Sequence, residues 1–140
     1  MKTELISFLL VTVLISGCET IAKSRANQLN YPDYAGAPIR SFWMPQLDGW
    51  TVVDDKLLVV RTNFNKEYLL KLAGYCPDLK FAFTIGVTSS TGTVDRFEKV
   101  VVGKDQCMIS EIRPIDSARM KADQKKLNAK LAENKQQKSE

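Results

Sequence analysis

Between Ile39 and Ile112 the apolar residues of this chain come in short runs rich in β-branched and aromatic types, each closed by residues that turn the backbone. The runs are Ile39 to Met44, Trp50 to Val53, Lys56 to Arg61, Glu67 to Leu72, Leu79 to Thr88, Arg96 to Val102 and Cys107 to Ile112. Between them stand Gln46-Leu47-Asp48-Gly49, Asp54-Asp55, Asn63-Phe64-Asn65-Lys66, Ser89 to Thr93 with Gly92, and Gly103-Lys104-Asp105. Short strands at this spacing specify a mainly β fold: a small curved antiparallel sheet, or a partly closed β-barrel or sandwich.

The plainest strand pattern is "LKFAFTIGVT", in which Leu79, Phe81, Phe83, Ile85 and Val87 alternate with Lys80, Ala82, Thr84, Gly86 and Thr88. Period two predicts a half-buried strand over residues 79–88. The runs that follow make a meander, which returns the start of the last strand to the sheet end where Cys76 stands. Outer strands of a flat three-strand meander lie about 10 Å apart, beyond the usual Cα reach of a disulfide. If Cys76 and Cys107 pair, either the lead-in Cys76-Pro77-Asp78 folds across the sheet end or the sheet curls.

The N-terminus has a separate logic. Lys2 precedes an apolar run from Leu5 to Ile15 that is about half the ~20 residues a spanning helix needs. A charged start, a short apolar core and small residues before a cut point are the layout of a secretory signal peptide, here residues 1–17. Ile15-Ser16-Gly17-Cys18 resembles the bacterial lipobox, and that resemblance implies diacylglycerol on the Cys18 thiol, cleavage before it, and acylation of the new amino group. Several acyl chains hold a protein stably on a bilayer. In lipoproteins an aspartate after the cysteine retains the product in the inner membrane; Glu19 stands there, so the resemblance implies a lipid-anchored envelope protein, in the outer membrane and facing the periplasm.

Of three cysteines, Cys76 and Cys107 are left to the mature chain. An exported protein meets an oxidising compartment, so these two are expected to form a disulfide worth roughly 3 to 4 kcal/mol. A reactive or metal-binding thiol is the rival reading, and the chain has no histidine to serve it as base or ligand.

Residues 18–38 are polar, with "NYPDYAGAP" breaking any periodicity, and read as a lipidated tether whose twenty or so residues would span roughly 25 Å if flexible. Residues 39–116 are the β domain. Residues 117–140 are basic, with Arg119, Lys121, Lys125, Lys126, Lys130, Lys135 and Lys138 against Asp123, Glu133 and Glu140, and they account for much of the formal charge of +4. Good helix formers dominate this segment, but Met120, Leu127 and Leu131 make only a thin stripe, so it reads as a frayed helix or a disordered, solvated tail. Export excludes nucleic acid as a partner and leaves anionic lipid, peptidoglycan carboxylates or an acidic envelope protein.

The lipobox, the tether, then "WTVVDDKLLVVRTNFNKEYLLKLAGYCPDLKFAFTIGV" and "CMISEIRPI" together resemble a group of small Gram-negative lipoproteins known as a domain of unknown function. The shared features are the "YLLKL" strand, the Cys76-Pro77 element with Leu79, and the ending Cys107-x-Ile109-x-x-Ile112, over roughly Ile39 to Ile115. Many relatives carry a further cysteine near the turn where this chain has Thr91 to Asp95. The resemblance implies no activity.

Two function classes follow. One is a non-enzymatic binding or assembly module anchored by Cys18, with a small-ligand pocket lined by Phe42, Trp43 and Trp50 as a variant of it. The other is an enzyme, whose best raw material is Asp54-Asp55; adjacent acids in a strand face opposite ways and more simply make a turn. With no histidine and no ligand cluster in the sequence, neither catalysis nor a metal or other cofactor is expected.

Overall fold

The structure is a computed structural model that describes residues 29–137, so the signal segment and Cys18 lie outside the described residues. The chain is mainly β. In order it forms the 3-10 turn η1 (Tyr31–Tyr34), the strands β1 (Ser41–Trp43), β2 (Leu47–Val52), β3 (Leu57–Thr62) and β4 (Glu67–Leu72), and a second 3-10 turn η2 (Pro77–Phe81). There follow β5 (Gly86–Val87), β6 (Thr93–Asp95), β7 (Lys99–Val102), β8 (Asp105–Pro114) and the helix α1 (Ser117–Gln137). Six strands make one curved, nearly closed antiparallel sheet in the order β2-β3-β4-β8-β7-β5, and β1 pairs with β6 as a separate ribbon.

Alternation sorts side chains between the two faces. Leu58 and Val60 of β3, Leu70 and Leu72 of β4, Val100 and Val102 of β7, and Ile109 and Ile112 of β8 fill the concave side with Phe42, Met44 and Val94 from the ribbon. Tyr68 stacks on Phe42 with ring centroids 4.0 Å apart, joining sheet to ribbon. The convex side carries a smaller cluster of Val59, Leu69, Tyr34 and Ile115. Apolar residues at consecutive positions of β3 and β4 thus serve two layers, as expected of strands covered on both faces.

Turn chemistry is satisfied at several of the expected places, but Leu47, Asp48 and Gly49, expected in a turn, begin β2 instead, with a register irregularity between Leu47 and Gly49. Asp54 Oδ1 accepts from the Lys56 amide at 2.7 Å in the β2–β3 turn, and Asn65, at φ 56°, closes the β3–β4 turn in the left-handed region that Asn tolerates. Gly92 sits at φ +82° with the Trp43 ring where a Cβ would be, 2.9 Å from Cη2, so a larger residue is excluded on both grounds.

Residues 79–88 depart from the sequence expectation: they are not a strand. Pro77 opens η2, and Leu79 turns inward and is fully buried, while Ala82 and Ile85 pack on the same core at intervals of three. Leu79 lies within η2, whereas Ala82 is its extended C-cap and Ile85 follows in irregular backbone. Phe81 and Phe83, core residues on a period-two reading, are 79% and 95% exposed, and strand pairing is confined to Gly86–Val87. The reason lies upstream, where the chain leaving β4 runs past β8, Ala73 N–H donates to Met108 O at 2.8 Å, and Cys76 is disulfide-bonded to Cys107. The lead-in folds across the sheet end, with the two Cα atoms 6.0 Å apart.

Residues 29–38, the second half of the expected tether, are part of the domain. Tyr34 is buried, Gly36 N–H donates to Pro114 O at 2.8 Å, and Ile39 N–H donates to Ile112 O at 2.9 Å. The segment lines the edge of β8 that β7 leaves free, because β7 pairs only with residues 105–108.

The basic tail is an ordered helix through Gln137. Asp116 caps it, accepting from Arg119 N–H at 3.0 Å, and Ser117 Oγ donates to Glu67 Oε2 at 2.7 Å. Only the first turns dock: Met120 packs on the convex cluster, and the Tyr34 hydroxyl donates to Asp123 Oδ2 at 3.2 Å. No residue of α1 is fully buried.

Candidate functional site

The convex face of β3, β4 and β8 carries rows of cross-strand neighbours. Leu57, Lys71 and Glu111 share one row, and Val59, Leu69 and Arg113 the next. Pro32 and Ala35 cross above them, held by the Ala35–Ile115 bridge, and the β2–β3 turn adds Asp54 and Lys56. With Val59 buried beneath, the other groups line an open cleft of about 340 Å³, near the lower end of small-molecule sites. Its floor is Leu57 and Leu69 and its rim is charged.

Most of that charge is already engaged. Arg113 Nε is ion-paired with Glu111, and Asp54 caps its own turn. Lys56 and Lys71 are exposed and have no ion-pair partner among the described residues. The cleft therefore offers an apolar floor beneath two uncommitted ammonium groups, an arrangement suited to a ligand with an apolar body and an anionic end.

Apart from Asp54, the described residues singled out in the sequence fall elsewhere. Phe42 and Trp50 face the concave core, the first buried and the second partly so, whereas Trp43 lies on the other side of β1, 54% exposed. The three do not gather around a common pocket. Asp54 and Asp55 diverge: Asp54 reaches the cleft rim, while Asp55 is ion-paired with Lys80 of η2. That bond and the carboxylate's charge raise the Lys80 pKa above its ordinary value. Cys76 and Cys107 are joined behind η2, with Cys76 buried. Cys18 lies outside the described residues. Among the described residues no group of three or more His, Cys, Asp or Glu side chains converges as a metal site would require.

Sequence reading misses the cleft because Lys56, Lys71 and Arg113 each look like an ordinary outward strand residue. The available signal is "LLVV" in β3 and "YLL" in β4, apolar at successive positions, which means both faces are covered and something must cover the second.

A second, smaller cleft of about 210 Å³ lies between Leu29 and Tyr31 on one side and Met120, Lys121 and Gln124 of α1 on the other. Beside it Arg119 lies over the Tyr34 ring, 5.1 Å from its centroid. Burial, and then the bond to Asp123, raise the Tyr34 pKa above its ordinary value. No described helix is long and apolar enough to cross a membrane.

Comparison with known proteins gives one family: a family of unknown function (DUF6491) matches residues 1–130. No curated protein and no solved structure matches the chain.

Proposed function

The chain belongs to this family of unknown function, whose description assigns no activity, and we propose from its own chemistry that it is an exported, lipid-anchored binding module rather than an enzyme. Cys18 carries the acyl chains that hold it on the periplasmic side of the outer membrane, and the β domain binds with its convex cleft. The observation that carries the reading is the apolar floor of Leu57 and Leu69 under the uncommitted Lys56 and Lys71. The ligand class is a small molecule with an apolar body and one anionic group.

Two measurements test the two halves. Cys18→Ser should abolish palmitate labelling and release the protein from membranes after export; equal labelling of wild type and variant would sink the anchor. For the cleft, amide spectra of residues 18–140 are followed during titration with octanoate and, separately, octanol. Octanoate should shift the amides of Leu57, Leu69 and Lys71 more strongly than octanol, and Lys56→Gln with Lys71→Gln should remove the preference. Each exposed charge contributes up to about fivefold. Unmoved amides with both probes would exclude this cleft as the ligand seat.

A further inference from the structure

The helix α1 leaves the domain with its acidic residues confined to one half, which also carries Arg119, Lys126 and Lys130. At about 100° per residue, Lys121, Lys125 and Lys135 fall within a sector of about 80° that also holds Asn128 and no acidic residue. Asp123 and Glu133, the acidic residues of the helix, fall in the opposite half. That half meets the β domain, where Asp123 accepts from Tyr34 and binds Lys126 while Arg119 covers the Tyr34 ring. The three lysines are exposed and have no ion-pair partner among the described residues.

The path of the chain places this sector near a particular surface. Leu29 lies beside Met120, Lys121 and Gln124, at the first turns of α1 and at the border of the basic sector. Leu29 follows Cys18 by eleven positions, a length of chain that spans at most about 40 Å whatever its path. A helix of 21 residues is itself about 32 Å long, so the whole basic sector lies within reach of the surface that holds Cys18. Met120, Leu127 and Leu131 occupy a narrow flank, too little apolar surface for the helix to bury itself in acyl chains.

We propose that Lys121, Lys125 and Lys135 of α1 rest on the anionic phosphates of lipid headgroups in the bilayer that anchors Cys18, an inference that rests on the lipoprotein reading. The contact is electrostatic and lies along the helix rather than into the membrane. It fixes which way the β domain faces. Peptidoglycan carboxylates would attract the same charges, but nothing in the path of the chain brings the wall to the helix as the anchor brings the bilayer.

The test uses the mature chain, residues 18–140, carrying Cys18→Ser so that no acyl group contributes, sedimented with vesicles of phosphatidylcholine with or without phosphatidylglycerol. The chain should sediment only with the anionic vesicles, and should be released as salt rises from about 0.1 M to about 1 M. Lys121→Gln, Lys125→Gln and Lys135→Gln together should weaken binding about a hundredfold, about fivefold per lysine. Glutamine keeps helix propensity, so circular dichroism of the triple variant should match the parent. Arg96→Gln, Lys99→Gln and Lys104→Gln remove the same charge near β7 and should leave binding unchanged. Equal sedimentation with both vesicle types, equal loss in both triple variants, or binding to isolated peptidoglycan but not to anionic vesicles would each overturn the proposal. Because Cys18 is replaced, absence of acylation in the native protein would be seen by palmitate labelling and would not alter this result.

Discussion

Ile109 and Ile112 stand three residues apart on one strand, and both point into the same core. A regular strand would send them to opposite faces. The pairing shows how this is avoided: Leu72 lies opposite Ile109 and Lys71 opposite Glu111, so Ser110 is an extra residue, bulged out with its Oγ donating to Lys71 O at 3.0 Å. Deleting Ser110 leaves Ile109 and Ile112 two residues apart, the spacing at which a regular strand points both inward, so the deletion should remove the bulge and keep a cooperative thermal transition. Ser110→Ala keeps the count and loses one hydrogen bond, a cost of about 1 kcal/mol. A deletion variant with no cooperative transition would show that Ser110 is not the extra residue of the strand.

Leu79 and Phe83 make a second pair of opposites. Leu79→Ala should cost about 2 to 5 kcal/mol, as for other fully buried leucines. Phe83→Ser, at a side chain 95% exposed, should stay within about 0.5 kcal/mol in urea unfolding. A cost for Phe83→Ser as large as that for Leu79→Ala would mean that residues 79–88 form the strand their period suggests.

The bond from Lys126, then that from Tyr34, lowers the Asp123 pKa below its ordinary value of 3.8. A carboxylate held in its charged form stabilises the fold at pH above that ordinary value. The contribution is lost as pH falls through the lower folded value. At neutral pH Asp123→Asn should therefore melt below wild type, and the gap should close as the solution is acidified below 3.8. A gap of constant size down to low pH would show that the carboxylate's charge plays no part in docking α1.

The disulfide ties residues 31 positions apart and holds η2 against β8. Replacing Cys76 and Cys107 together by alanine should lower stability by about 2 to 5 kcal/mol. The native oxidised protein should show no free thiol at either position until it is unfolded and reduced. Ready labelling without reductant would reopen the reactive-cysteine reading.

Much of this fold is legible in the sequence, and the failures have identifiable causes. The span of β4 follows from the short apolar run of Tyr68, Leu69, Leu70 and Leu72, and the turns at Asp54-Asp55 and Asn63 to Lys66 follow from their turn residues. The stretch "LKFAFTIGVT" contains two periods at once: Leu79, Phe81, Phe83 at two, and Leu79, Ala82, Ile85 at three. The choice between them is made by Pro77 and by the disulfide, which draws the segment across the sheet end before a strand can start. Tyr34 escapes a sequence reading because an isolated aromatic among Pro, Asp and Gly carries no periodicity, and its burial depends on β8, far along the chain. The cleft escapes for the same reason: Pro32 meets Lys71 and Arg113 only through tertiary folding.

The passage of residues 34–39 along β8 has a mechanical consequence. Tension entering the domain from its N-terminal side is met first at η1 and the bonds from Gly36 to Pro114 and from Ile39 to Ile112. These isolated bonds can break in succession, whereas the β4–β8 ladder behind them shares load across its whole register. A pull from the N-terminal side would thus peel a short ribbon, residues 29–39, from the free edge of β8 and leave the sheet and its disulfide unloaded until that ribbon is extended.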